Sequence, residues 1–220
     1  MSQLTFNLNN NPALDRGDFI VSKCNEDAIA WIDKWPDWPS ATPGLNVFGA
    51  SASGKTHLGS VWKNRSDAVW VNNPIFDPII IPEVLGSRRN VVIDGFDNRW
   101  PGVPILHLYN LVREREGSIL VITSEPVSRL DVVPADLASR LATLPIVEIR
   151  RPDDDLIKGV MNKLFRDRQI MVASGVLDYL LLRMERSFSE ALRLVNLLDS
   201  ISLSENNAVT LSLARKMLNK

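Results

Sequence analysis

Residues 49–56 read Gly49-Ala50-Ser51-Ala52-Ser53-Gly54-Lys55-Thr56, a full G-x-x-x-x-G-K-[ST] pattern, between an apolar run and an amphipathic stretch starting at Lys55. That context is what the pattern needs to be a phosphate-binding loop. Glycines let the backbone wrap closely around an anion, successive N–H groups and the start of the next helix face it, and lysine adds a point charge. On this reading all eight residues cradle nucleotide phosphates, Lys55 reaches the β- and γ-groups, and the Thr56 hydroxyl ligates Mg²⁺. Such a loop is built at the carboxyl end of a buried strand that runs directly into a helix, which narrows the fold to an α/β class.

The rest of the chain repeats that unit. Apolar runs at Leu45–Phe48, Ala68–Val71, Val91–Ile93, Ser118–Ile122 and Ile146–Ile149 alternate with amphipathic stretches, including one near 104–116. This predicts a parallel five-stranded sheet with helices on both faces over 13–152. Arg151-Pro152 breaks the pattern, Asp153, Asp154 and Asp155 supply a cap and first-turn acids, and Ile157, Val160, Met161, Leu164 and Phe165 recur at helical spacing. A small all-α subdomain over 153–220 is expected. Residues 1–12, with three consecutive asparagines and Pro12, predict an extended arm. Asn25 ahead of Glu26 and Asp27 predicts a helix cap, and Trp31, Trp35 and Trp38 an aromatic packing stripe interrupted by Pro36.

At 220 residues and 45% hydrophobic content the chain can bury a sizeable core. A net charge of -1 and a pI near 6.1 provide no global field for nucleic acid, so any DNA contact needs a local basic patch; pairs such as Arg88-Arg89 and Arg113/Arg115 read as solvated surface. Cys24 is the single cysteine, which leaves no intramolecular disulfide and no cysteine-cluster zinc site. With no signal-peptide pattern at the N-terminus and no apolar run of membrane length, a cytoplasmic location is expected.

A second acidic element sits at Asn90-Val91-Val92-Ile93-Asp94, an apolar strand ending in a carboxylate that could hold Mg²⁺ through water. Gly95 occupies the next position, where ATPases with this arrangement carry the acid that polarises attacking water. Asp97 is the nearest substitute base, with a capping role in its turn as the alternative.

With these elements placed, Gly54-Lys55-Thr56-His57-Leu58 resembles the stretch shared by DnaA-type AAA+ proteins, and Asp18-Phe19-Ile20-Val21 with Asn25 resembles the segment that holds adenine there. The resemblance implies an AAA+ module, a parallel five-stranded core followed by a helical lid, binding ADP or ATP with Mg²⁺ through the loop, His57, Phe19, Val21 and Asn25. Ile122-Thr123-Ser124-Glu125-Pro126 is similar to the family's sensor strand, in which Thr123 or Ser124 would read the γ-phosphate. Asp136-Leu137-Ala138-Ser139-Arg140-Leu141 is similar to the motif whose arginine acts in trans, which makes Arg140 a candidate arginine finger. In Met184-Glu185-Arg186-Ser187-Phe188-Ser189 the expected lid arginine is replaced by Ser189, with Arg186 and Arg193 about one turn away.

Two features narrow the resemblance to DnaA-related regulators of the Hda type. The sequence reaches residue 220 without the family's helix-turn-helix, so no dedicated DNA-binding domain is expected. Gln3-Leu4-Thr5-Phe6-Asn7-Leu8 is similar to the peptide such regulators dock on the DNA polymerase sliding clamp, Gln3 making polar contacts and Leu4, Phe6 and Leu8 anchoring in a groove. The implied partners are the clamp and the DnaA initiator, whose bound ATP would be hydrolysed under stimulation in trans; a homo-oligomer is open. An autonomous ATPase that loads a helicase or clamp would share the loop, Asp94 and Arg140. A P-loop phosphotransferase is disfavoured by the apolar 153–220 region.

Overall fold

A computed structural model of the protein describes residues 16–38, 44–205 and 209–218. The N-terminal arm, with Gln3, Leu4, Phe6 and Leu8, lies outside the described residues. Strands β1 (Gly44–Gly49), β2 (Val69–Val71), β3 (Val91–Asp94), β4 (Ile119–Thr123) and β5 (Ile146–Ile149) pair in parallel, in the order β2-β3-β4-β1-β5. The chain leaves β1, crosses to β2 at the far edge and returns through β3 and β4, so β1 lies inside the sheet between β4 and β5 and its carboxyl end opens at the point where the strand order reverses. In open α/β sheets that crevice is where ligands bind.

The helices of this part are α1 (Glu26–Lys34), α2 (Lys55–Ser66), α3 (Ile81–Leu85), α4 (Gly102–Glu114) and α5 (Ala135–Ala142). Strand alternation sends Leu45, Val47, Val92, Leu120 and Ile122 to one face, against α1 and α2. Val91, Ile93, Ile119 and Val121 face the other way, against α3, α4 and α5. Both faces are covered over β3 and β4, which is why those runs are continuously apolar, whereas the edge strand β5 alternates, with Ile146 and Glu148 exposed. The expected strands are present to within one residue at each end. The five-residue α3 was not legible, because a helix that begins Ile81-Pro82 and stops at Gly86 presents barely one turn of periodicity.

The aromatic stripe has a different centre from the one expected. Trp62 of α2, fully buried, takes Trp38 stacked on it at 5.4 Å and 9° and Trp35 edge-on at 6.0 Å. Trp31 only borders the group, its carbonyl accepting from Trp38 Nε1 at 2.7 Å. Trp62→Ala is expected to cost about 3–5 kcal/mol from lost burial and a residual cavity, lowering Tm by about 10 °C in a thermal melt for a domain of this size. Asn25 is also reassigned. It precedes α1 but makes no side-chain cap; it is buried, its Oδ1 accepting from Ser22 N at 2.9 Å and its Nδ2 donating to Ile20 O at 3.0 Å. The side chain thus fixes the 20–25 turn.

Beyond β5 the chain is helical: α6 (Asp154–Asp167), α7 (Val176–Leu181), α8 (Phe188–Glu205) and α9 (Leu211–Leu218). Asp153 caps α6, accepting from Leu156 N at 2.8 Å as expected. Ile157, Met161, Phe165, Leu180, Leu194 and Leu198 belong to a third apolar cluster built wholly from this region. Among the described residues no helix is long and apolar enough to cross a membrane.

Candidate functional site

A cavity of about 360 Å³ opens where the carboxyl end of β1 meets the C-terminal helices. Its floor is the 52–57 segment, its side wall Phe19, Ile20 and Asn25, and its roof Val160, Lys163, Leu164, Phe188 and Ser189. Gly49 sits so close to β5 that a Cβ there would stand 2.2 Å from Ile149 O, so no other residue fits without moving the sheet. Ala52 holds a φ of 55°, unusual for a residue with a Cβ, of the kind found where a loop is shaped for a ligand. The Ser53 hydroxyl is buried with no hydrogen-bond partner among the described residues, and leaving a buried polar atom unpaired is costly. A phosphate oxygen in the loop would offer acceptors to the Ser53 hydroxyl and to the N–H groups at the start of α2.

Lys55 Nζ donates to Gly49 O at 2.8 Å and Ala50 O at 2.6 Å, which holds the ammonium over the loop. Burial lowers its pKa and Asp94 partly offsets this. Thr56 Oγ1 donates to Asp94 Oδ2 at 3.1 Å, joining two residues 38 apart in sequence. The hydroxyl and carboxylate are chemically suited to a hard cation. Burial raises the Asp94 pKa, against the opposing pulls of the Thr56 hydroxyl, Lys55 and the Gly95 N–H.

A carboxyl whose pKa is raised on folding adds stability that is present at low pH and lost as pH rises through its folded value. Charged Asp94 is therefore a liability to the ligand-free fold at neutral pH. Asp94→Asn is expected to raise Tm at pH 7, with a gain that vanishes below pH ~4 where the wild-type carboxyl is itself protonated. The same variant should lose Mg²⁺-dependent nucleotide affinity; a melt that is unchanged at pH 7 would contradict this electrostatic account.

The remaining expected residues are placed less uniformly. Phe19 meets His57 edge-on at 5.1 Å and both line the cavity with Asn25. Val21 is 46% exposed and Ile20, its neighbour, lines the wall instead. Ser51 is exposed at the loop tip. Thr123 is buried, accepting from Asn46 Nδ2 at 3.0 Å and donating to Glu125 O at 2.6 Å, so its hydroxyl is engaged within the protein; Ser124 is exposed just past the end of β4. The buried Asn46 also donates to Val121 O and accepts from Val127 N, tying β1 to the end of β4. Sequence reading missed Asn46, though an asparagine inside an apolar strand is a visible signal.

Gly95 has a φ of 79° and donates to Ile122 O, so the position after Asp94 has a left-handed backbone that disfavours a side chain. Asp97 accepts from Arg99 N at 2.9 Å and Arg99 Nε at 2.9 Å, and Arg99 holds its carboxyl below the ordinary range. It lines a different cavity with Trp100, Asp131 and Val133, and its turn role is the one realised. Ser189 lines the main cavity, whereas Arg186 is paired with Asp154 and Arg193 with Glu190. The cation that the C-terminal helices bring to the cavity is Lys163, bonded to Asp18 at 2.8 Å and Asp167 at 2.7 Å. It escapes sequence reading because the apolar stripe around it looks like a single core face. The structure shows two faces, 157/161/165 inward and 160/164 to the cavity.

Arg140 lies on α5, outside the cavity lining. Its guanidinium makes two hydrogen bonds to Asp136, at 2.9 and 3.1 Å, and sits 5.8 Å from the Tyr109 ring centroid. Of the basic pairs, Arg115 donates to Gly86 O and Arg88 O, and Arg88 meets the Asp67 carboxylate at 3.4 Å.

No family model matches the chain. An uncharacterised protein from Haemophilus influenzae is 24% identical over 191 residues, spanning 80% of this chain and 82% of its own length. Domain III of the replication initiation protein DnaA from Thermotoga maritima superposes with a TM-score of 0.79 at 16% identity, over 95% of this chain and 97% of that one. AMPPCP-bound DnaA from Aquifex aeolicus gives 0.65 at 18% identity, over 82% and 63%. The RuvB Holliday junction branch migration motor from Thermotoga maritima gives 0.66 at 14%, over 80% and 61%. The five-stranded parallel sheet with its helical C-terminal portion is thus the P-loop AAA+ fold seen in DnaA and RuvB.

Proposed function

We propose that this protein is an adenine-nucleotide-binding regulator of replication initiation that activates hydrolysis in a partner's site. In this reading ADP or ATP lies in the cavity with its phosphates on residues 49–56 and its base between Phe19 and the lid. Lys55 neutralises phosphate charge, and Thr56 with Asp94 holds Mg²⁺, which supplies charge neutralisation at the phosphates. Residues 3–8 dock on the sliding clamp, and Arg140 is presented to ATP held by DnaA. The observation that carries this reading is the position of Arg140: on the surface of α5, held in a defined orientation by Asp136 and Tyr109, and outside the chain's own cavity. A permanently charged planar fork in that setting suits transition-state charge on another protein's γ-phosphate. Gly95 and the tied-up Asp97 fit a site that binds nucleotide and leaves the chemistry to the partner.

The test is turnover of DnaA-bound ATP with DNA-loaded clamp, comparing the intact protein with a variant lacking residues 1–8. Stimulation by the intact chain that disappears with the deletion is the expected result. Equal stimulation by both would remove clamp docking from the account, and none by either would overturn it.

A further inference from the structure

The lid carries a cationic pair that the nucleotide site does not use. Lys158, Lys163, Arg168, Arg186 and Arg193 each meet a carboxylate. Arg183 and Arg215 do not: among the described residues neither has an acidic partner, and both are exposed. Both instead converge on one ring. The Arg183 guanidinium sits 4.0 Å from the centroid of Tyr179 and the Arg215 guanidinium 5.8 Å from it. Arg183 lies two residues past the end of α7, where its Nη1 also donates to Tyr179 O at 3.4 Å, and Arg215 is on α9, which packs on α7. Leu182, beside them, is 80% exposed. None of these residues lines the nucleotide cavity.

From this arrangement we infer that Tyr179, Arg183 and Arg215 form a docking site for the phosphodiester backbone of DNA. A guanidinium held against an aromatic face loses rotamer freedom before it binds and keeps its in-plane N–H groups available for an oxyanion. Both guanidiniums converge on one ring, so they can engage neighbouring phosphates of one duplex. DNA presents a charge at every ~3.4 Å of rise along each strand, so such a pair finds partners wherever it lands, whereas an acidic peptide has to match a fixed spacing. With a net charge of -1 the chain has no global attraction for a polyanion, so an unneutralised local pair is what such binding requires. The site is independent of the function proposed above, and its test contains neither DnaA nor clamp.

That test is fluorescence anisotropy of a fluorescein-labelled 20-base-pair duplex titrated with the full chain between 50 and 200 mM salt, beside the Arg183→Ala/Arg215→Ala double variant. The wild type is expected to bind with salt-dependent affinity. The double variant should bind at least tenfold more weakly, with a log–log salt slope shallower by about 2, close to one unit for each phosphate it no longer neutralises. Its affinity for ADP should be unchanged, which separates weakened DNA binding from a damaged fold, and Arg183→Lys/Arg215→Lys should restore most of the slope. No duplex binding by the wild type, or equal binding by the double variant, overturns the inference. So does tighter, arginine-dependent binding of a labelled poly-glutamate peptide, which would make the site one for an acidic protein segment.

Discussion

Arg140→Ala is expected to reduce stimulated hydrolysis of DnaA-bound ATP by about three orders of magnitude or more, the range an arginine finger contributes to phosphoryl transfer. This chain's own affinity for ADP should stay within about twofold, because Arg140 is not part of its cavity lining. The variant should fold normally: the guanidinium's partners are an exposed i,i+4 carboxylate and one ring face, and such surface pairs contribute little to stability. Arg140→Lys retains the charge and loses the planar fork, so it should recover only a small part of the rate. A matched pair of measurements decides it, single-turnover phosphate release from the partner and calorimetric ADP binding by the variant. Equal losses in both would place Arg140 in the chain's own site and refute the trans role.

The second large effect belongs to Lys55. Its ammonium lies over the phosphate loop, partly buried, with carbonyl acceptors at 2.8 and 2.6 Å. Lys55→Ala removes a charge-assisted contact to phosphate worth about 3 kcal/mol, so nucleotide affinity should fall about 100-fold. The ligand-free protein should melt at or slightly above the wild-type temperature, because a buried ammonium with a lowered pKa costs the fold something at neutral pH. In sign terms, that cost is present below the folded pKa and disappears as pH rises beyond the ordinary lysine range. A variant that binds ADP as tightly as the wild type would remove the phosphate loop from the account.

How much of this was legible in the sequence follows from the length scale of each interaction. The strand–loop–helix unit at 45–66 was readable because its constraints are local: periodicity, glycines and a lysine within a dozen residues. The pairing of Thr56 with Asp94 was readable as a motif, although its 3.1 Å hydrogen bond depends on parallel pairing across β4. The side of the cavity built by the C-terminal helices was not readable. Lys163 acquires its place by meeting Asp18, some 145 residues earlier, and no local pattern encodes that contact. Thr123 shows the converse case. The strand-end hydroxyl was recognisable, but its engagement by Asn46 and Glu125 O depends on which face β1 turns toward β4. Asn25 failed as a cap for a similar reason, since its amide is used by the turn before α1 rather than by the helix.

If this chain binds nucleotide while the hydrolysis occurs in its partner, the two sites can be told apart by where a label is placed. The decisive experiment follows release of labelled phosphate from γ-labelled ATP in two arrangements: label preloaded on DnaA with clamp, DNA and this protein carrying unlabelled ADP, and label supplied to this protein alone. Release confined to the first arrangement is the predicted result. Comparable release from the protein alone would contradict it and leave an autonomous AAA+ ATPase.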